Sequence, residues 1–230
     1  MKIFITGTNT DVGKTYIVTR LWQWLNQRGI STVIFKPFQT EELEEGVYPD
    51  LESYRTLCGL DYEITGLYTF HEAVSPHLAF KQEPHQQFDL DKVQSRLTQL
   101  EAQYDVVLIE GAGGVAVPIH VEKNTFFMTT DLIKATADVV LSVVPAKLGA
   151  ISETIVHQSY LDTHNCPPNI IMMNRYTDTL IEQDNWLTLQ TYLNTPIVIF
   201  PENGEMADIP ASILNYFKEA TCYETSDTGR

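Results

Sequence analysis

A doubly wound α/β domain, with a mostly parallel sheet and helices on both faces, is predicted by two features of the sequence. Short apolar runs rich in β-branched residues alternate with longer segments of helical periodicity. The runs are also apolar almost without interruption, as strands covered on both faces are. They fall at residues 2–6, 32–36, 106–110, 139–144, 170–173 and 197–200.

Each intervening segment has its own signature. After the first run, Ile17, Leu21, Trp24 and Leu25 form an apolar stripe with a period near 3.6. Asp50-Leu51-Glu52-Ser53-Tyr54 reads as the start of a helix, and Pro76 as the entry to one near Leu78, with Ser75 as its cap. Leu90, Val93, Leu97 and Leu100 make a second stripe, and residues 151–163, 180–193 and 211–218 complete the helices. The chain of 230 residues, 43% of them hydrophobic, suffices for one large domain over residues 1–220, and no Pro/Gly/Ser-rich linker divides it. The polar residues 221–230 read as a flexible tail.

Charge and cysteines restrict the class. A net charge of -15 without any Lys/Arg cluster is repelled by a nucleic-acid backbone, so no nucleic-acid partner is expected. Cys58, Cys166 and Cys222 are odd in number, widely spaced and outside any metal-ligand pattern, which fits thiols in a reducing compartment. There is no apolar run of transmembrane length and no leader pattern, so the expectation is a cytoplasmic protein without a membrane partner.

Ligands in such sheets bind at the carboxyl ends of the strands. The first strand leads into Gly7-Thr8-Asn9-Thr10-Asp11-Val12-Gly13-Lys14-Thr15, a Gly-bounded loop running into a helix at Gly-Lys-Thr. Backbone N–H groups and the helix N-terminus there favour phosphate, Lys14 reaches the outer phosphates, and the Thr15 hydroxyl completes a magnesium shell. The strict phosphate-loop spacing wants glycine at position 8, where Thr8 stands; the first glycine is Gly7. The fold expected is therefore like that of phosphate-loop nucleotide hydrolases.

Other strand ends carry candidates with competing bland readings. Glu110, before Gly111-Ala112-Gly113-Gly114, suits magnesium better than solvent, because four small residues permit close backbone approach to a ligand. Asp50 is a second metal candidate or a plain helix cap. Lys36 is by default a solvated strand-end charge; within reach of the loop it is instead a second cation for the γ-phosphate, with Thr40 donating nearby. Asp11 inside the loop binds a cationic substrate or positions magnesium. The free N–H groups of Gly149-Ala150-Ile151-Ser152 suit a carboxylate. Asn174, beside Arg175, offers its amide to an adenine edge or is an ordinary loop asparagine.

Taken together, the phosphate loop, Lys36-Pro37-x-x-Thr40, Ser75-Pro76-His77, Glu110-Gly111-Ala112-Gly113-Gly114 and Lys147-Leu148-Gly149 resemble the motifs of dethiobiotin synthetases, in the same order over roughly residues 2–205. That resemblance implies ATP- and magnesium-dependent closure of a cyclic urea from 7,8-diaminononanoate and carbon dioxide, through a carbamate and a carbamic–phosphoric anhydride. It implies catalysis by Lys14 and Lys36, and metal ligation by Thr15, Asp50 and Glu110. It implies nucleotide contacts from Asp11, Val12, Gly13, Lys14, Thr15, Tyr16, Asp50, Glu110, Gly111, Ala112, Gly113, Asn174, Arg175, Pro201, Glu202 and Asn203. Thr10 and Thr40 would meet the substrate, and Gly149, Ala150, Ile151 and Ser152 would grip its carboxylate from the neighbouring subunit of a homodimer.

The chain departs from the pattern in places. Asn9 stands where the family often has Asp, Ser152-Glu153 where it commonly has Asn-His, and residues 41–49 differ in length and sequence. Two other readings use the same loop. An amide-forming ligase of the cobyrinate type usually carries an added glutaminase domain, for which 230 residues leave no room. A partition- or positioning-type ATPase switch typically needs an early loop lysine, absent from Thr8-Asn9-Thr10.

Overall fold

Seven parallel strands carry the fold in a computed structural model that describes residues 1–222; the rest of the tail expected at 221–230 lies outside the described residues. The first half runs β1 (Lys2–Gly7), α1 (Lys14–Gln27), β2 (Thr32–Gln39), α2 (Pro49–Cys58), α3 (Tyr62–Thr65), β3 (Gly66–Thr69), α4 (Pro76–Gln82), α5 (Leu90–Glu101) and β4 (Val106–Glu110). A hairpin, β5 (Pro118–Glu122) and β6 (Thr125–Met128), leads into α6 (Thr129–Thr136) and β7 (Val139–Pro145). Then come α7 (Ala150–Thr163), β8 (Asn169–Tyr176), α8 (Leu180–Tyr192), β9 (Ile197–Pro201), a 3-10 turn (Met206–Asp208) and α9 (Ile213–Cys222).

The strand order is β3-β2-β4-β1-β7-β8-β9, so β1 lies at the centre with β4 and β7 on either side. Register aligns the carboxyl ends: Ile5 pairs with Glu110, Gly7 with Val143, Phe35 with Ile109 and Pro145 with Asn174. The phosphate loop, Lys36 and Glu110 therefore emerge along one edge.

Strand alternation divides the core. Ile3, Ile5, Leu108 and Leu141 pack with Ile17 and Leu21 of α1 and Phe217 of α9 on one face. Phe4, Phe35, Val107 and Val140 pack with Leu97 of α5 and Leu132 of α6 on the other. Each fully buried side chain of this kind stabilises the fold by about 1.5–3 kcal/mol. The helices start where their caps dictate. The Asp89 carboxylate accepts from Asp91 N and Lys92 N, and Thr179 and Glu182 form a reciprocal capping box.

All six strands expected from sequence are present, with corrected ends. β2 continues through Pro37 to Gln39, because Pro37 lies past the last pair with β4, where no ladder bond is lost, and the strand pairs onward with β3. β8 runs on to Tyr176 through an irregularity at which Arg175 takes a φ of 58°. The helix at Ser75-Pro76 begins at Pro76, not near Leu78. The Ser75 hydroxyl makes no cap bond and pairs instead with His77 Nδ1 at 2.9 Å. The edge strand β3 and the β5–β6 hairpin are additions. The hairpin turns on Lys123 and Asn124, both at positive φ, rather than on the Asn-Gly or Asp-Gly pair that marks such turns.

Candidate active site

The phosphate loop is shaped by its glycines. Gly13 has a φ of 94°, and a Cβ there would sit 2.4 Å from Asn174 Nδ2. A Cβ on Gly7 would lie 2.8 Å from the Val143 carbonyl oxygen, a backbone contact that cannot yield. Glycine is thus needed at position 7, one residue before the strict pattern places it. Asn174 Nδ2 donates to the Val12 carbonyl at 2.9 Å and its Oδ1 accepts from Arg175 N, so this side chain braces the loop from β8.

Lys14 Nζ lies against the Asn9 carbonyl at 2.9 Å, and burial pulls its pKa below the ordinary lysine value. One turn of chemistry converges on Thr15. Its Oγ1 is 2.8 Å from both Asp50 Oδ1, delivered by α2, and Glu110 Oε1, at the end of β4. Lys36, only 5% exposed, pairs with both carboxylates: its Nζ is 2.9 Å from Glu110 Oε1 and also bonds Asp50 Oδ2. Lys36 is therefore not the solvated surface charge of the default reading. Burial works against its charge, but Glu110 and Asp50 outweigh that and hold its pKa above the ordinary value. Asp50 shifts the other way: burial opposes ionisation, and Lys36 overcomes it to keep the carboxyl pKa low.

One contributor escaped the sequence reading. Tyr54, fully buried on α2, donates its hydroxyl to Glu110 Oε2 at 2.6 Å. Burial raises the phenol's pKa well above its usual value, with Glu110 adding to the effect, so the group is a donor. Tyr54 follows Asp50 by one helical turn, which sets the two on one side of α2 but gives no sign of the contact with Glu110.

These groups open into a cleft of about 570 Å³. Thr10, Asp11, Gly13, Lys14 and Thr15 line it with Lys36, Thr40, Asp50 and the run Glu110, Gly111, Ala112 and Gly113. Ser75 and Pro76 line it too, and Phe38, Val74 and Val117, also unforeseen, give it apolar lining. A second cavity of about 220 Å³ joins Gly13, Tyr16, Asn174, Arg175, Glu202 and Asn203. Pro201 ends β9 beside it, and Tyr16 ties the region together by donating to the Gly204 carbonyl at 2.8 Å. The four residues Gly149, Ala150, Ile151 and Ser152 line neither cavity, although the same helix end touches the loop through Thr8 Oγ1 and Glu153 Oε2 at 3.3 Å.

The donor chemistry fits magnesium. Among the described residues no group of three or more His, Cys, Asp or Glu side chains is arranged to hold a metal alone. The convergent set here is a hydroxyl and two carboxylates, all hard oxygens, and magnesium is commonly held by one or two carboxylates together with phosphate oxygens and water.

A family described as an AAA domain matches residues 1–206. The ATP-dependent dethiobiotin synthetase BioD of Staphylococcus epidermidis is 55% identical over 197 residues, 86% of this chain and 88% of the relative. That of a Geobacillus species is 36% identical over 198 residues, 85% and 82% of the two chains. Among solved structures, a plasmid partition protein from Borrelia burgdorferi superposes with a TM-score of 0.57 at 11% identity, covering 97% of each chain. The MinD cell division protein of Aquifex aeolicus gives 0.53 at 16% identity, covering 99% of this chain and 90% of that one. At such identities the structural likeness carries the fold alone.

Proposed function

The chain belongs to the ATP-dependent dethiobiotin synthetase family and to the AAA-domain family, and we propose that it closes the cyclic urea of dethiobiotin from 7,8-diaminononanoate, carbon dioxide and ATP. One amine adds to carbon dioxide and loses a proton, giving a carbamate. A carbamate oxygen attacks the γ-phosphorus, the bond to the bridging oxygen breaks, and ADP leaves. The second amine attacks the carbon of the resulting mixed anhydride, phosphate departs with the C–O bond, and a proton is lost as the ring closes.

The observation that carries this reading is the meeting of Lys14, Thr15, Lys36, Asp50 and Glu110 in one cleft that Thr40 and Ser75 also line. Lys14 and Lys36 supply fixed positive charge to a transferring phosphoryl group and its carbamate acceptor. Thr15, Asp50 and Glu110 would hold magnesium, which when bound neutralises phosphate charge. Asp11 and the hydroxyls of Thr10 and Thr40 line the cleft where the diamine would lie, and its apolar lining suits an alkyl chain. Arg175, Glu202 and Asn203 surround the smaller cavity, suited to adenine, with Asn174 committed to bracing the loop. The turn at Gly149–Ser152 would serve the site of a second copy in a cytoplasmic homodimer.

Incubation of the purified protein with ATP, magnesium, bicarbonate and 7,8-diaminononanoate is expected to yield dethiobiotin, read by mass, together with ADP and phosphate. Folded protein that binds ATP and forms no dethiobiotin would refute the proposal.

A further inference from the structure

The two oxygens of Glu110 have separate partners. Oε1 faces the cleft, 2.8 Å from Thr15 Oγ1 and 2.9 Å from Lys36 Nζ. Oε2 faces inward and accepts from the hydroxyl of Tyr54 at 2.6 Å, its one hydrogen bond among the described residues. Both side chains are closed to solvent, Glu110 at 1% and Tyr54 at 0% exposure. The phenol is thus the donor this closed-off oxygen has, and a buried carboxylate oxygen without a donor is costly. Leu51, Tyr54 and Cys58 form the buried side of α2, so the ring is fixed by packing before its hydroxyl is spent on Glu110. Asp50 precedes Tyr54 by one turn, and α2 thus delivers one carboxylate to Thr15 while clamping the other from behind.

We propose that Tyr54 is a positioning residue for the metal site: its hydroxyl fixes the rotation of the Glu110 carboxylate so that Oε1 alone is presented to the cation beside Thr15. The inference rests on the reading of Glu110 as a magnesium ligand. Tyr54 touches neither substrate nor nucleotide in this role and acts through Glu110. Outer partners that orient a ligating carboxylate typically change metal affinity by about 10–100-fold when removed.

Tyr54→Phe deletes one oxygen and keeps the ring. Manganese binding to the enzyme–ADP complex, followed by electron paramagnetic resonance, is expected to weaken about tenfold or more in this variant. Metal-free ADP affinity, read by calorimetry, stays near wild type. Glu110→Gln is measured alongside and is expected to weaken manganese binding at least as much. If Glu110→Gln weakens it and Tyr54→Phe stays within twofold of wild type, Tyr54 is only core and the inference falls while the metal-site reading stands. If Glu110→Gln leaves manganese affinity unchanged, Glu110 is no ligand and that reading falls first. Loss of metal-free ADP binding in Tyr54→Phe would also overturn the inference, by pointing to a displaced loop.

Discussion

Lys36 keeps its charge in a place without solvent because two carboxylates surround it. Without Lys36 the two carboxylates would face one another with no cation between them. Replacing Lys36 by alanine leaves Glu110 buried and Asp50 partly so. Loss of one partner from a buried pair destabilises by about 3–5 kcal/mol, with the lower value expected here because Asp50 is partly open. Lys36→Ala is therefore expected to lower the melting temperature, with magnesium and ADP restoring part of it. In the dethiobiotin assay its kcat falls about a hundredfold or more while ATP affinity with magnesium present is largely kept. Turnover near wild type would return Lys36 to a structural role. Lys14, Thr15, Lys36 and Glu110 stood out as candidates in the sequence because each lies at or near the carboxyl end of an apolar strand run or at the start of the helix that follows one, and the structure brings them together. Tyr54 did not, since a tyrosine on an apolar helix face looks like core until its oxygen is seen against Glu110.

Helix α7 shows what an element adds beyond its residues. Its His157, 4% exposed, meets Ser142 Oγ of β7 at 2.8 Å, and Ser142 gives its own proton to Asn169 Oδ1 of β8. His157 Nε2–H is then the donor to Ser142, and the ring sits neutral, its Nδ1 without a partner among the described residues. Burial, with Lys14 adding to it, pushes the His157 pKa down to about 4 from 6.5. The unfolded chain therefore binds the extra proton between those values and the fold does not. This stability is fully present above about pH 6.5 and is lost as pH falls toward 4, by on the order of 3 kcal/mol. His157→Gln, which cannot titrate, is expected to flatten the fall between pH 6.5 and 4, checked by urea denaturation across that range. An unchanged pH profile would mean that His157 titrates alike in the folded and unfolded chain, and the burial effect would fall. The sequence marks a helix at 151–163, but its apolar stripe is interrupted because Thr154, His157 and Gln158 are polar and inward-facing. Only the register of β7 and β8 shows why a polar seam is tolerated there.

Across the whole molecule, the sheet order determines which residues can share a site. β1 lies between β4 and β7, so residues separated by nearly 100 positions, Thr15 and Glu110, come within 2.8 Å. The four residues Gly149, Ala150, Ile151 and Ser152 line neither of the two cavities described for this chain, and the proposed sharing of the site between two copies is open to a direct test. A complementation experiment checks that sharing. Lys36→Ala disables the phosphate side and Ser152→Glu the carboxylate side, and each homodimer alone is expected to be nearly inactive. Unfolded and refolded together in equal amounts, they are expected to recover about a quarter of wild-type activity, because half the dimers are mixed and each has one intact site. No recovery, from mixed dimers shown to form, would put both residues in the same copy's site. The sequence by itself determined the α/β class, the phosphate loop, the order of the strands along the chain and the residues at their ends, because these depend on local periodicity and on glycine and proline at particular places. Only the tertiary structure decided that Lys36 is buried between Asp50 and Glu110, that Asn174 braces Val12 and that Tyr54 holds Glu110. Those facts follow from strand pairing and helix packing between distant segments, and no local pattern in the chain encodes them.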